Sequence, residues 1–349
     1  MKKSEMMRGA KFNQNGTGAR RAPITMVQKP HITGPDDVLI RVEAVAICGT
    51  DVRALADPPA FDFVDGIIVG HEACGIVEAV GPNVTNCQVG DKVVVHPNIW
   101  CGKCPACREG HINLCENFRH IGDRIDGAMA EYLCIEERMV YKIRNDVPSH
   151  IAALAEPLAC VLNGTTSCKS HPGETVAVLG GGPIGQLFAM LYQASGAKVI
   201  LSEPSVYRRE LAHTLGIETT VNPFEEDLDA VIRTHSPVGA DIVVDALGTM
   251  LPTALQIARK GGHITVFGVN QTAHVNIGQY PITEKELTVQ GTYITKGTMP
   301  LAVRIIENGL IPIGKLVTHR LPLEQLMEGI ELSKRGAAGK VVIEITKQA

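Results

Sequence analysis

The stretch from Thr175 to Pro204 constrains the fold more than any other part of this 349-residue chain. It opens with the apolar run "TVAVLGGG", enters "PIGQLFAMLYQASG", whose apolar residues recur at helical spacing, and leaves through "KVILSEP". Gly196 closes the helix, and the flanking runs have the length and β-branched content of strands. Downstream, "YRRELAHTLG" reads as a helix closed by Gly216, and "ADIVVDALG" and "GGHITVFGV" read as further strands. Strands separated by helical segments pair in parallel, because each helix supplies the crossover that parallel pairing needs. The pattern therefore predicts an α/β unit over residues 157–296: a doubly wound parallel sheet of the Rossmann type with helices on both faces.

The turn between the first strand and its helix carries Gly180-x-Gly182-x-x-Gly185, with Pro183 and Ile184 in the variable places. Gly180 permits the tight turn, Gly182 lets the backbone approach a pyrophosphate, and Gly185 lets helix and strand pack closely. The free N–H groups at the helix start attract the anion, so a dinucleotide is the expected ligand. Glu203 ends the next strand, 18 residues after Gly185. A carboxylate there can accept both ribose hydroxyls and repels a 2′-phosphate, which predicts NAD rather than NADP. Arg208 and Arg209 follow with opposite charge, and Val269, after the strand in "GGHITVFGV", is a further cofactor-binding candidate.

The flanks differ in character. "DVLIRVEAVAIC", "GIVEAV" and "DKVVVHP" are β-rich, and the first 150 residues are rich in Cys, Pro and Gly, so this part should be irregular and antiparallel. "ALAEPLACVLNGTTS" begins a helix with Pro157 in its first turn. Beyond about 290, "LAVRIIENGLI" and "LEQLMEGIELSKRG" read as amphipathic helices and "KVVIEIT" as a closing strand. Residues 1–156 and 297–349 are expected to combine into one domain.

Hydrophobic residues make up 45% of the chain and charged residues 20%, a globular composition. The net charge is −4 with the signs interspersed, and the basic clusters "MKK" and "ARR" near the start are short. Neither a nucleic-acid face nor a polybasic membrane anchor is expected. The N-terminus has no apolar run and no stretch reaches about 18 apolar residues, so a secretory signal and a membrane span are not expected either. A cytoplasmic chain keeps its thiols reduced, and clustered cysteines then favour a metal over disulfides. Four of the ten cysteines, Cys101, Cys104, Cys107 and Cys115, crowd into "CGKCPACREGHINLC" with the spacing C-x₂-C-x₂-C-x₇-C. Cysteines this close cannot easily form two unstrained disulfides. Four thiolates satisfy a tetrahedral zinc with no position left open, so the site should be structural. The loop has almost no apolar residues, and the metal is what should order it. Cys74, Cys87, Cys134, Cys160 and Cys168 read as buried small apolar groups.

"AICGTD", "VGHEACG" and "AEPLAC" complete the picture. With Gly70-His71-Glu72 followed by Gly75, Gly81 and Val84, the sequence resembles the zinc-dependent medium-chain dehydrogenases from about residue 30 to its end. The resemblance implies a β-rich GroES-like catalytic domain with a structural zinc lobe beside a Rossmann domain, two zinc ions per chain, and the Cys101–Cys115 cluster as the lobe. It implies a catalytic zinc on Cys48 and His71, with Glu72 a ligand or close neighbour. Glu156 stands where alcohol dehydrogenases carry a second cysteine, as in the sorbitol and polyol branch. The carboxylate also suits a helix N-terminus. Thr50 matches the family's first proton-relay group, and Asp51 should orient the site. Arg53 stands where some members place a relay histidine, and Ile294 where sorbitol-type enzymes often carry an arginine.

The expected activity is hydride transfer between NAD and a secondary alcohol of a small polyhydroxylated molecule: a polyol, cyclitol or aminocyclitol. The single Trp and the 4% aromatic content argue against a greasy slot for long-chain or aromatic alcohols. Two alternatives stay open: an L-threonine or sugar-alcohol-phosphate dehydrogenase on the same scaffold, and, from another class, a non-catalytic NAD-binding redox sensor. The family-typical threonine motif differs from "EPLAC", and a sensor need not keep Cys48, Thr50, His71 and Glu72 together. The chain is expected to form a homo-oligomer, a dimer or tetramer.

Overall fold

In the computed structural model, which describes residues 5–14, 20–56, 59 and 61–345, the strand Asp37–Ala46 is the seam of a seven-stranded sheet. The basic start at residues 1–3 lies outside the described residues. One edge of the strand pairs antiparallel with Glu72–Val80 along almost its whole length, from Val38↔Val80 to Ala46↔Glu72. The other edge is shared: Tyr132–Glu136 takes its first half, and Lys340–Glu344 its last three residues. Val317–Pro322 extends the sheet in parallel beyond Lys340–Glu344, and Lys92–Val95 and Val140–Lys142 extend it on the opposite side. Val38, Ile40 and Val42 are fully buried, whereas Arg41 and Glu43 on the other face are not. This period of two is that of a strand with one face in a core. Each such aliphatic side chain contributes about 1.5–3 kcal/mol on burial.

Two compact units make up the chain. The first comprises Met1–Ala159, Thr295–Asn308 and Val317–Ala349, and holds this sheet. The second comprises Cys160–Ile294 and Gly309–Leu316, and holds a six-stranded sheet that is parallel throughout. Its strand order is Thr219–Val221, Lys198–Ser202, Thr175–Leu179, Ala240–Asp245, Ala258–Val266, Thr288–Gly291. Numbered along the chain this is 3-2-1-4-5-6, the doubly wound order, in which strand direction of travel reverses beside Thr175–Leu179. All five residues of that strand are buried, as expected where helices cover both faces. Gly309–Leu316, which the alternating pattern did not assign to this unit, joins it. Its turn Ile313–Leu316 packs on the helix Pro183–Ala194, and Lys315 Nζ donates to Thr214 O at 3.3 Å. No helix among the described residues is long and apolar enough to cross a membrane.

Past the strand Lys92–Val95, His96 is 1% exposed, its Nδ1 accepts the N–H of Asn98 at 3.1 Å, and its ring meets Trp100 edge to face. Burial, helped by nearby His120, pushes its pKa down to about 4 from 6.5. Between those values the unfolded chain holds a proton that the folded chain does not. The stability is therefore complete above about pH 6.5 and falls with pH, by about 3 kcal/mol once pH reaches the folded value. Urea midpoints read from the fluorescence of Trp100 should fall between neutral pH and about pH 4.5, and His96→Gln should flatten that part of the profile.

Candidate functional site

Sheet register builds the first site. Ala46 pairs with Glu72 on one side and with Val342 on the other. Two residues further along the central strand, Cys48 therefore emerges between the segment of His71 and that of Lys340. Cys48 precedes the short helix Gly49–Ala54, and Asp51 on that helix returns to accept the Cys48 N–H on Oδ2 at 2.9 Å. The Thr50 hydroxyl lies 3.6 Å from Cys48 Sγ. Cys48, His71 and Glu72 each offer a ligand atom, and these atoms lie within 4.8 Å of one another. Thiolate, imidazole and carboxylate in such a group fit a zinc ion. Glu156, in the first turn of the helix Ala155–Ser167, is buried outside this triad, but its charge acts on His71, His120 and Lys340.

Burial would lower the pKa of His71. Cys48, through charge and a hydrogen bond, and the carboxylates of Asp51 and Glu156 outweigh it and raise the pKa well above the ordinary value. Asp51 is 1% exposed, and burial raises its pKa. Glu72 has a partner that sequence reasoning missed. Lys340 Nζ lies 2.6 and 2.5 Å from its two oxygens, and also donates to Ile47 O at 3.0 Å. Both side chains are nearly inaccessible, at 4% and 1%. Removing one member of a buried pair leaves the other charge uncompensated. Lys340→Met should lower the stability of this unit by about 3–5 kcal/mol. Adding Glu72→Gln should recover most of the loss, both read from Trp100 fluorescence in denaturant.

The four clustered thiols also converge, with all their sulfurs within 4.8 Å of one another. All ten cysteines of the chain are free thiols. Backbone N–H groups point at the cluster: Cys101 N at Cys115 Sγ (3.2 Å), Cys104 N at Cys101 Sγ (3.3 Å) and Asn117 N at Cys115 Sγ (3.3 Å). The N–H groups of Lys103 and Cys104 bring the Cys101 thiol down to about 6. Such donors stabilise thiolates, the form a metal requires. Of the other cysteines, Cys74, Cys87, Cys160 and Cys168 are buried, but Cys134 is partly exposed and its Sγ donates to His31 O at 3.6 Å. The expectation of burial fails there because Cys134 faces outward on the strand Tyr132–Glu136, whose alternate residues Leu133 and Ile135 take the core.

In the second unit the glycine turn leads from Thr175–Leu179 into the helix Pro183–Ala194. A Cβ on Gly185 would lie 1.8 Å from Gly180 O, so only glycine permits this helix–strand approach, whereas Gly182 faces open space. Among the described residues no side chain caps the helix at Gly182, so its first N–H groups are available to a phosphate. Glu203 is 4% exposed, and its Oε2 accepts the N–H of Gly181 at 2.7 Å while Oε1 accepts that of Ser205 at 2.9 Å. It thus holds the turn, with a lone pair left on each oxygen. Arg208 Nη1 is 3.6 Å from Glu203 Oε2, and Arg209 donates instead to the carbonyls of Glu203 and Pro204. Buried Gln186, absent from the sequence-based candidates, ties Gly181 O to Arg208 O. Val269 lies partly exposed in the loop after Ala258–Val266. Arg53 packs its guanidinium over Phe61, 5.0 Å from the ring centroid. Ile294 adopts a φ of +42°, rare for a β-branched residue, and its carbonyl accepts from buried Asn163 at 2.8 Å.

Two family models match the chain: the alcohol dehydrogenase GroES-like domain over residues 34–145 and the zinc-binding dehydrogenase over residues 183–308. An L-threonine 3-dehydrogenase of Caldanaerobacter subterraneus is 36% identical over 346 residues, which cover 92% of this chain and 95% of the relative. A sorbitol dehydrogenase of Bacillus subtilis is 31% identical over 303 residues, covering 85% and 86%. Among solved structures, a Sinorhizobium meliloti protein assigned to the zinc-binding dehydrogenases and bound to NADP superposes with a TM-score of 0.90. It is 34% identical and covers 98% of this chain and 100% of its own.

Proposed function

Because the chain belongs to the zinc-dependent medium-chain alcohol dehydrogenases, oxidoreductases that act on alcohols, we propose that it transfers a hydride between NAD and a secondary hydroxyl of a polyol, cyclitol or aminocyclitol. The observation that carries this reading is the polar surround of the Cys48–His71–Glu72 group. Glu156 acts on it where simple alcohol dehydrogenases place a cysteine, and Thr50 and Asp51 flank it. Cys48, His71 and the carboxylate of Glu156 or Glu72 would hold a zinc ion, which would supply a Lewis acid for the alcohol oxygen, and NAD would supply the hydride acceptor. The residues do the rest. Thr50, whose hydroxyl lies 3.6 Å from Cys48 Sγ, would carry the alcohol proton outward. Asp51 fixes the backbone of Cys48. Lys340 occupies both oxygens of Glu72, leaving Glu156 as the readier carboxylate ligand. The second unit binds the dinucleotide on its glycine turn, with Glu203 and Arg208 beside it.

A second reading, L-threonine oxidation, is favoured by the 36% identity to a threonine 3-dehydrogenase across nearly the whole chain. One experiment separates the two: catalytic efficiency with NAD and with NADP across polyols, cyclitols, aminocyclitols, L-threonine and ethanol. The proposal expects a polyhydroxylated or amino-bearing ring or chain to lead with NAD, and ethanol to trail far behind, since a site built for hydroxyls rejects analogues lacking them. L-Threonine in the lead would establish the second reading, and ethanol in the lead would end both. Better turnover with NADP would mean that Arg208 outweighs Glu203.

Metal content gives a further check. Two zinc ions per chain are expected, one at each cluster. Cys104→Ser should lose one of them and melt earlier. His71→Ala should lose the other and reduce kcat by about 10³-fold or more while NAD affinity is retained, because several kcal/mol of charge stabilisation disappear. Full activity without zinc would overturn the assignment.

A further inference from the structure

The four-thiol lobe is tied to the rest of the first unit by a contact that the chemistry above does not use. His111 stands in the seven residues between Cys107 and Cys115. Its backbone is held inside that lobe: His111 N donates to Ala106 O at 2.8 Å, and Leu114 N donates to His111 O at 2.9 Å. Gly110 N and Cys115 N fold the same stretch onto Cys107 O and Ile112 O, at 3.1 and 3.3 Å. From Cys101 to Cys115 no apolar side chain other than cysteine is buried. A metal on the four sulfurs would therefore be the main thing that fixes the lobe, and His111 with it.

Lys296, 185 positions away, meets this histidine: its Nζ lies 2.8 Å from His111 Nδ1. An ammonium has only protons to give, so Nδ1 is the acceptor. Lys296 has no other hydrogen-bond or ion-pair partner among the described residues. It sits between two buried threonines, Thr295 and Thr298. Thr298 Oγ1 donates to Ala159 O at 2.6 Å, so the Thr295 hydroxyl, 3.0 Å away, donates to Thr298. Ala159 lies on the helix Ala155–Ser167, whose first turn carries Glu156. His111, Lys296, Thr298 and Ala159 all belong to the first unit.

We propose that Lys296 couples the two metal clusters. A metal in the four-thiol lobe holds His111, His111 holds Lys296, and Thr298 passes that order to the helix of Glu156. Lys296 is thus a positioning residue, and the inference rests on the reading that Glu156 belongs to the reacting centre. Coupling of this kind is reciprocal: each occupied cluster strengthens the other by the same factor. One hydrogen bond from a partly exposed charged donor sets that factor at about 5- to 10-fold.

The test follows loss of zinc from the intact protein to a chromogenic chelator. The lobe's phase is the one that Cys104→Ser lacks and His71→Ala retains. Lys296→Met and His111→Leu should each speed that phase by about 5- to 10-fold, and the double variant should be no faster than either. Lys296→Arg, which can still donate, should keep most of the wild-type rate. In Cys104→Ser the remaining zinc should leave faster by a similar factor, and adding Lys296→Met should change nothing more. Amide hydrogen exchange at Leu301 and Ala302, which both donate to Thr298 O, should rise in the same variants. Wild-type release and exchange in both Lys296→Met and His111→Leu overturn the proposal. Additive effects in the double variant overturn it too, as does unchanged retention of the second zinc when the lobe is empty. Should His71→Ala keep both zinc phases, the reading of the reacting centre fails instead. The lobe's release and the exchange at Leu301 and Ala302 then still judge the contact, so the two failures are distinguishable.

Discussion

Lys340 and Glu72 are 268 positions apart in sequence, yet their charged ends meet inside the protein with almost no access to water. An ammonium and a carboxylate are each costly to bury, and become tolerable together only when geometry is close and remaining donors are satisfied. Here Ile47 O takes a further Nζ proton, and the strand Asp37–Ala46 holds both residues in place by pairing with Glu72–Val80 on one edge and Lys340–Glu344 on the other. The pair thus marks the point where three strands converge and Cys48 leaves the sheet. Cys48, His71, Thr50 and Asp51 all take their positions from that junction.

Around this point several negative groups are gathered at once. Against the cost of burial, Cys48, Asp51 and Glu156 raise the pKa of His71, and Glu72, Cys48 and Glu156 raise that of Lys340. A cation is the natural occupant of such a place, and a thiolate with an imidazole selects a soft-to-borderline one such as zinc. The lobe of Cys101, Cys104, Cys107 and Cys115 reaches a similar end by different means. There, backbone N–H groups favour the thiolate, and among the described residues no imidazole or carboxylate joins the group. The closed donor set suits structure, and the mixed one suits chemistry.

The second unit turns the same device outward. The uncapped N–H groups at the start of Pro183–Ala194 are left for a ligand, while Glu203 inside the turn consumes the N–H of Gly181 and Gln186 consumes its carbonyl. Glu203 therefore does two things with one carboxylate: it stiffens the turn and places negative charge beside it. Arg208 at 3.6 Å moderates that charge, so preference between the two dinucleotides depends on a balance of opposite groups rather than on either alone.

How much was legible in the sequence follows the range of the interactions. The glycine turn, the strand–helix alternation around it and the four-cysteine lobe are local, because each is written within about thirty residues and depends on backbone geometry, periodicity or ligand spacing. Cys48, His71, Glu72 and Glu156 were legible through resemblance, whereas their convergence depends on strand register. Lys340 and Gln186 carried no local signal. A lysine in "GKVVIE" reads as an ordinary strand start. Their partners are set by pairing across a sheet and by a helix packed on a turn. The sequence by itself determined the elements and the donor types, since those follow from short-range sterics and chemistry. Only the tertiary structure decided which buried charges neutralise one another and which groups gather around Cys48 and His71, because burial and electrostatic pairing are properties of neighbours in space.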